Sequence, residues 1–217
     1  MMRVAIVLYN HIEPIELAVI GTLSMAKRVT DELSYFTVSE KGGLVELQNG
    51  LRVETDYSFA NAPAADVVII TGGPGWRVQV KNELILDFIR RRFNNSETIA
   101  SVCTGALILG AAGLLAGKVA TTKVPVTGPE ECPLNTLARD CPDTEVVEAV
   151  VVDEGEIVTG GGVTLGIDLT LYLLEKFLGE EVCYETARIM EYDAAMDVNQ
   201  SRRPILRFDT SSTSLTT

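Results

Sequence analysis

The sequence predicts an α/β sandwich in which helices cover both faces of a mostly parallel sheet. Short apolar runs, typical of strands buried on both faces, alternate with segments of helical periodicity. The chain has 217 residues, of which 47% are hydrophobic and 22% charged, so it can bury one sizeable core. Right-handed strand–helix–strand connections would then set successive strands side by side in parallel.

The first half of the chain supplies most of the predicted sheet. In order, it contains a strand at 3–9, a helix at 14–29, a strand at 35–40, a hairpin at 44–55, a strand at 66–73, a helix at 77–93, a strand at 98–102 and a helix at 104–115. Pro14 suits the first turn of its helix, where its missing N–H is not needed. Asn49-Gly50 is a dipeptide that type I′ hairpin turns favour.

The second half adds a β-hairpin and two helices. The hairpin covers 144–162 and turns at Glu154-Gly155, and the helices follow at 164–179 and 180–192. These elements predict a sheet of six or seven strands. We expect a single domain over residues 1–192 and a C-terminal tail over 193–217, whose polar end "DTSSTSLTT" should fray.

Charge and composition exclude several classes of function. Asp and Glu outnumber Lys and Arg by 30 to 18, and a net charge of -12 repels nucleic acid and anionic lipid. The apolar runs are too short or too interrupted to span a membrane or act as a signal peptide. Four cysteines do not form a disulfide framework, so a reducing cytoplasm is expected. Without a phosphate-binding loop or a metal-ligand cluster, we predict no cofactor and no metal.

Three predicted strands end in glycine-rich turns, "TGGPG" at 71–75, "SVCTG" at 101–105 and "VTGGG" at 158–162. Open α/β sheets bind ligands beyond the carboxyl ends of their strands. Glycine lets the backbone turn sharply there and approach a ligand closely. The three turns therefore predict a ligand site at one edge of the sheet.

Cys103 lies in the middle one of these turns, between a strand and a helix. Such a turn resembles a nucleophile elbow, which exposes one side chain and strains its backbone. The following helix N-terminus would lower the pKa of the thiol, which makes Cys103 the most reactive of the four cysteines. The alternative is an inert cysteine packed in the core.

A family resemblance rests on three motifs. "SVCTGALILGAAGLLAGKVATT", "ITGGPG" and "VTGGGVTLGIDLTL" resemble the ThiJ/PfpI superfamily, and most closely its isonitrile hydratase branch. The resemblance covers roughly residues 3–192. It implies a flavodoxin-like three-layer sandwich of the class I glutamine amidotransferase type. It also implies a homodimer that acts on a small molecule, with Cys103 as the reactive residue.

The resemblance implies further site residues. A carboxyl group early in the first helix contacts the reactive cysteine in this family, and Glu16 matches that position better than Glu13. The turns containing Gly72, Gly73 and Thr104 would form an oxyanion site, with the N–H groups of Gly73 and Thr104 facing the substrate. Thr104 would also orient water.

The sequence departs from the family pattern at one position. Many relatives carry a histidine after "TT" on the strand behind the cysteine helix, and this chain has Lys123 there. The single histidine, His11, matches no family motif and is expected in an exposed loop. A cysteine-dependent isonitrile hydratase needs only Cys103 and an acid such as Glu16. The alternatives are a non-catalytic ligand or redox sensor that uses Cys103, and a glyoxalase or deglycase.

The remaining cysteines have no predicted catalytic role. Cys132 and Cys141 each precede a proline, in a spacing that fits no structural zinc site. They could form an oxidisable pair in a loop. Cys183 lies in a late helix and is expected in the core. Ile12, Trp76 and Val124 are candidates for the apolar wall of a substrate pocket.

Overall fold

A computed structural model describes residues 1–208 of the chain. Its main sheet has eight strands in the order β12-β10-β11-β7-β6-β1-β2-β5, and only the β10–β11 pair is antiparallel. The strands are β1 Met2–Val7, β2 Leu33–Ser39, β5 Tyr57–Ser58, β6 Val67–Ile70, β7 Thr98–Ser101, β10 Val151–Asp153, β11 Ile157–Gly160 and β12 Ile205–Arg207. The predicted mostly parallel sheet is confirmed, but it has eight strands instead of six or seven because two short edge strands join it.

Two small two-stranded sheets lie beside the main one. Strands β3 Gly43–Glu46 and β4 Arg52–Thr55 form the predicted hairpin, with Asn49 and Gly50 both at positive φ in its turn. Strands β8 Val119–Ala120 and β9 Glu145–Val146 pair in parallel. The second predicted hairpin is therefore shorter than 144–162, since its first residues pair with β8 instead of β11.

Helices cover both faces of the sheet, as predicted. Their bounds are α1 Ala18–Ala26, α2 Trp76–Gln79, α3 Glu83–Asn94, α4 Gly105–Ala111, α5 Pro133–Asp140, α6 Leu165–Leu178, α7 Glu180–Ile189 and α8 Asp193–Arg202. Helices α1, α6 and α7 pack together in one layer, and α2 to α5 form the other. The 3-10 turn Pro14–Leu17 leads directly into α1. This arrangement is a three-layer sandwich. None of the helices in residues 1–208 has the length and apolar character needed to cross a membrane.

Ordered elements continue beyond residue 192, where the sequence analysis starts a C-terminal tail. Helix α8 follows α7 closely, and β12 pairs with β10 at the edge of the main sheet. The sequence of α8 gives little indication of an ordered helix, because Met196 is its only buried residue. The end of the tail, 209–217, lies outside the described residues.

Candidate active site

The turn at Cys103 joins β7 to α4 at the carboxyl edge of the sheet. Cys103 has a φ of 54° and is only 2% exposed. Its N–H donates to the Gly161 carbonyl at 3.0 Å, and the Thr122 hydroxyl donates to its carbonyl at 2.6 Å. Gly105 has no room for a side chain, because a Cβ there would meet the Ile70 carbonyl oxygen. The predicted strand-to-helix turn with a disfavoured backbone is confirmed.

A second strained turn lies beside the first. Strand β11 is the parallel neighbour of β7, and Val163 follows it with a φ of 59°. A β-branched residue in this region is a true outlier. The N–H groups of Val163 and Thr104 both face the Cys103 sulfur. Val163 was not among the predicted site residues, because its backbone, and not its side chain, faces the thiol.

Glu16, in the 3-10 turn before α1, is buried against the cysteine turn. The 3-10 turn before α1 holds it with 2% exposure, and the Gly72 N–H donates to its Oε2 at 3.2 Å. Its Oε1 is buried and has no hydrogen-bond partner among the described residues. Glu13 is partly exposed and lines the open side of the site. Of the two glutamates, the structure therefore buries Glu16 beside Cys103.

The N–H groups of Gly72 and Gly73, in the turn predicted to form part of the oxyanion site, are already bonded inside the protein. Gly72 donates to Glu16, and the Gly73 N–H donates to Thr104 Oγ1 at 2.8 Å. The Thr104 hydroxyl also lies 3.3 Å from the Gly73 carbonyl. In this structure the Gly73 N–H is therefore bonded to Thr104, and its role towards a substrate stays a prediction. The N–H groups that face the sulfur belong to Thr104 and Val163.

Burial dominates the ionisation of Glu16 and Cys103. It raises the pKa of Glu16 from 4.5 to about 7, against smaller lowering effects of the Cys103 thiol and the Gly72 N–H. Burial also raises the pKa of the Cys103 thiol, and the negative charge of Glu16 raises it further. The N–H groups of Val163 and Thr104 act in the opposite direction. The expected lowering of the thiol pKa is wrong, because two N–H groups do not offset the loss of water.

A cavity of about 400 Å³ opens above the sulfur, and we call it the thiol cavity. Besides Cys103, Thr104, Gly73 and Thr127, its lining is apolar at Pro74, Trp76, Pro129 and Val163 and charged at Glu13, Arg77, Lys123 and Glu130. Trp76 thus lines the cavity as predicted. Ile12 and Val124 do not line it, and Ile12 is fully buried behind Gly73.

Lys123 stands in the wall of the thiol cavity, where relatives are expected to carry histidine. Its Nζ lies 3.5 Å from Glu130 Oε2, so a partly buried ion pair bridges the wall. A Cβ on Gly162 would lie 2.6 Å from the Lys123 Cβ, which shows how closely the second turn packs on this lysine. His11 is exposed and does not line the cavity.

The other three cysteines lie away from this cavity, and all four are free thiols. Cys132 donates to the Val124 carbonyl at 3.1 Å, Cys141 packs against Gly110 and Cys183 is buried. No group of three or more His, Cys, Asp or Glu side chains within residues 1–208 is arranged to hold a metal ion.

The fold and the buried cysteine turn define a class of α/β sandwich proteins with one strained cysteine at the edge of the sheet. The chain belongs to the DJ-1/PfpI family, whose model matches residues 2–176. A ThiJ/PfpI family protein from Pseudomonas syringae has a similar solved structure, with a TM-score of 0.76 and 26% identity over 88% of this chain and 75% of that one.

Two curated relatives show the range of the family. Isonitrile hydratase from Pseudomonas putida is 36% identical over 151 residues, which are 70% of this chain and 62% of that protein. The HTH-type transcriptional regulator GbdR from Pseudomonas aeruginosa is 27% identical over 188 residues, which are 85% of this chain and 49% of the regulator. The matches thus span less than two thirds of the length of either relative.

Proposed function

We propose that this chain is a cysteine-dependent isonitrile hydratase, which adds water to R–N≡C and releases the formamide R–NH–CHO. The observation that carries the proposal is that Cys103 lines the thiol cavity and that Glu16 lies buried beside it, behind the cavity wall. This pair can move one proton without a histidine. The similarity to isonitrile hydratase supports this choice of reaction.

The first step joins Cys103 to the terminal carbon of the isonitrile. The S–C bond forms as the thiol proton leaves sulfur, and the same carbon gains one proton, which gives the thioimidate R–N=CH–S–Cys. Water then adds across the C=N bond. Breaking the C–S bond releases R–NH–CHO, and sulfur regains a proton. The sum is R–N≡C plus H₂O, and the thiol is restored.

Glu16 is the group that carries the proton between sulfur and carbon. Its pKa of about 7 makes both of its proton states accessible near neutral pH. When Glu16 is protonated, it no longer repels a negative charge on sulfur, and the Cys103 thiol ionises more easily. The N–H groups of Thr104 and Val163 then stabilise the thiolate. The Thr104 hydroxyl, whose oxygen can accept one hydrogen bond besides that of the Gly73 N–H, would orient the water.

The walls of the thiol cavity favour a substrate with an apolar substituent. Trp76, Pro74 and Pro129 offer apolar surface close to the sulfur. The Arg77 guanidinium lies over the Trp76 ring at 4.9 Å from its centroid, which holds the ring in place. An alkyl or aryl isonitrile can place its terminal carbon at the thiol and its substituent against these side chains.

The test is turnover of simple alkyl and aryl isonitriles by the purified chain. Loss of the infrared isonitrile band should accompany the formyl proton signal of the product. Cys103→Ser should abolish both changes, and the matched variant Cys132→Ser should leave them intact. The hydratase proposal fails if the folded protein forms no formamide from any isonitrile of the series, or if Cys103→Ser remains active.

A redox or ligand sensor is the second candidate. The similarity to GbdR and the unpartnered Oε1 of Glu16 favour it, because a protonated carboxyl could donate to an oxidised sulfur. Treatment with hydrogen peroxide followed by intact-mass measurement should then show two added oxygens at Cys103. The same treatment of Glu16→Leu should give further oxidation instead of a stable product. A protein that gains no oxygen at Cys103 would count against the sensor.

The proposal includes a homodimer in the cytoplasm. The apolar helix α1 and the 43% exposed Ile15 just before it support a partner on this face. Light scattering across micromolar concentrations should give twice the chain mass of 23.5 kDa. A mass that stays at 23.5 kDa would rule out the dimer.

A further inference from the structure

A second cavity lies on the other side of Lys123 and Val163 from the thiol. Its volume is about 470 Å³, and Lys123 and Val163 line both cavities. The remaining wall comes from Pro125 and Val150, from the glycine turn at 162–165, and from Asn199, Arg202 and Arg203 at the end of α8. We call it the arginine cavity. Nothing in the proposed hydration of an isonitrile requires it.

The charge of this cavity is opposite to that of the chain. Lys123, Arg202 and Arg203 line it, and no acidic residue does, although the whole chain carries a net charge of -12. Two of the cations have only long ion pairs, Lys123 with Glu130 and Arg203 with Glu148, each at 3.5 Å. Arg202 forms no ion pair within the described part of the chain. Three positive charges therefore line this space, and the two glutamates that pair with Lys123 and Arg203 are not part of its wall.

Hydrogen bonds to Asp168 hold the segment that carries the two arginines. Asn199 Nδ2 donates to Asp168 Oδ2 at 3.1 Å, and the Tyr192 hydroxyl donates to the same oxygen at 2.7 Å. These bonds tie the end of α7 and helix α8 to α6. Thr164 precedes the fourteen-residue α6, so the positive end of that helix also points towards the cavity. The backbone that carries the arginines and the end of α6 are thus brought to the same cavity by contacts within the protein.

We propose that the arginine cavity binds an oxyanion, the carboxylate or phosphate group of a small molecule. Guanidinium groups bind such planar or tetrahedral oxyanions through two parallel N–H···O bonds. The volume admits a small molecule, and the net charge of -12 on the whole chain repels polyanions. The group could belong to a separate ligand. It could instead be one end of the substrate itself, with the isonitrile carbon at Cys103 and the oxyanion reaching past Val163 into the arginine cavity. This second possibility rests on the proposed function.

The first experiment tests the oxyanion site without any reaction. Isothermal titration with inorganic phosphate should show saturable binding of one phosphate per chain. Arg202→Gln with Arg203→Gln should weaken it at least tenfold, while the charge-matched pair Arg91→Gln with Arg188→Gln should change it less than twofold. Because Arg202 is exposed, the single variant Arg202→Gln should fold like the wild type. It should weaken phosphate binding about threefold or more. No saturable binding to the wild type, or equal effects of the two pairs, overturns the proposal.

The second experiment distinguishes the two sources of the oxyanion. The substrates are 4-isocyanobutanoate and the neutral n-butyl isonitrile. If the site holds the far end of the substrate, phosphate should inhibit turnover of the carboxylate competitively and leave n-butyl isonitrile unaffected. If the site holds a separate ligand, phosphate should affect the turnover of both isonitriles to the same extent. If neither isonitrile reacts, the proposed function fails, and the titration still decides the oxyanion site.

Discussion

The turns at Cys103 and Val163 end neighbouring parallel strands, and each holds a non-glycine residue at positive φ. The first turn buries its side chain, whose sulfur is the proposed nucleophile. The second turn leaves its side chain 37% exposed and directs its N–H at that sulfur. Both strained turns act on the Cys103 sulfur. The first turn positions this atom, and the second turn directs the Val163 N–H towards it. The strained residues of a site therefore need not contribute their side chains.

The two turns also support each other. Cys103 donates its own N–H to the Gly161 carbonyl in the second turn, and the Val163 N–H faces back to the first. A positive φ costs a non-glycine residue about 1–2 kcal/mol. Such a cost persists only where the surrounding structure fixes the conformation. Hydrogen bonding in both directions between adjacent strand ends provides that constraint.

The largest expected difference between the turns is in turnover. Cys103→Ala should lower formamide production on the order of 10³-fold or more, because it removes the nucleophile. Val163→Ala keeps the N–H and the strand end, so its loss should stay below about tenfold. Steady-state kinetics with one isonitrile will compare them. Equal losses would mean that the Val163 side chain itself takes part, and the distinction between the turns would fall.

The second difference concerns the glycines that let each turn pack. A Cβ at Gly72 would lie 2.7 Å from both the Cys103 Cβ and the Thr104 N, and neither can move freely. We expect Gly72→Ala to lower the free energy of unfolding by about 3 kcal/mol. A Cβ at Gly162 mainly meets the Lys123 side chain, so Gly162→Ala should cost about 1–2 kcal/mol. Urea denaturation at constant m-value measures both, and the reverse order would contradict this account.

The first turn could be predicted from the sequence, and the second only in outline. A cysteine between an apolar strand and a glycine-rich helix is visible in the residue types, and the structure places Cys103 at the expected edge. The glycine run at 158–162 marked the neighbouring strand end as well. The residue type of Val163 gave no signal, because any residue except proline carries the N–H that matters.

Burial explains why the pKa of the Cys103 thiol could not be predicted from the sequence. The sequence shows that Cys103 precedes a helix, but it does not show that the thiol is 2% exposed and close to a buried carboxyl. The direction of its pKa depends on that environment. Similarly, Gly73 was identified correctly as a turn residue, while its N–H proved to be taken by Thr104. Hydrogen-bond partners across 31 residues of chain cannot be read from a local motif.

The third prediction tests the burial of Glu16 through the pH dependence of stability. The pKa is raised from 4.5 in the unfolded chain to about 7 in the folded one, so the folded state binds the proton more tightly. The contribution of Glu16 to stability should be highest below about pH 4.5, decline as the pH rises to about 7, and stay level above. The decline has an upper limit of about 3 kcal/mol.

Glu16→Gln should remove this decline and be more stable than the wild type at pH 8. Asp168, whose pKa burial raises to about 6, remains in both proteins and gives the same slope to each. The difference between the two denaturation curves therefore isolates Glu16. Parallel curves over this range would show that the Glu16 carboxyl is not buried in its charged form.

The smallest expected effect, on stability, separates backbone from side chain at the second turn. Val163→Gly keeps the N–H that faces the sulfur and removes the cost of a β-branched residue at a φ of 59°. The relief of about 1–2 kcal/mol exceeds the added entropy of the unfolded chain, so we expect a gain of up to about 1 kcal/mol. The rate of iodoacetamide labelling of Cys103 should stay within about twofold. Val198→Gly, at a 49% exposed valine in helix α8, is the matched control and should instead lose a few tenths to about 1 kcal/mol. The account is contradicted if Val163→Gly loses as much unfolding free energy as this control, or if labelling of Cys103 slows by about tenfold or more. Either result would show that the Val163 side chain, and not its N–H alone, shapes the turn.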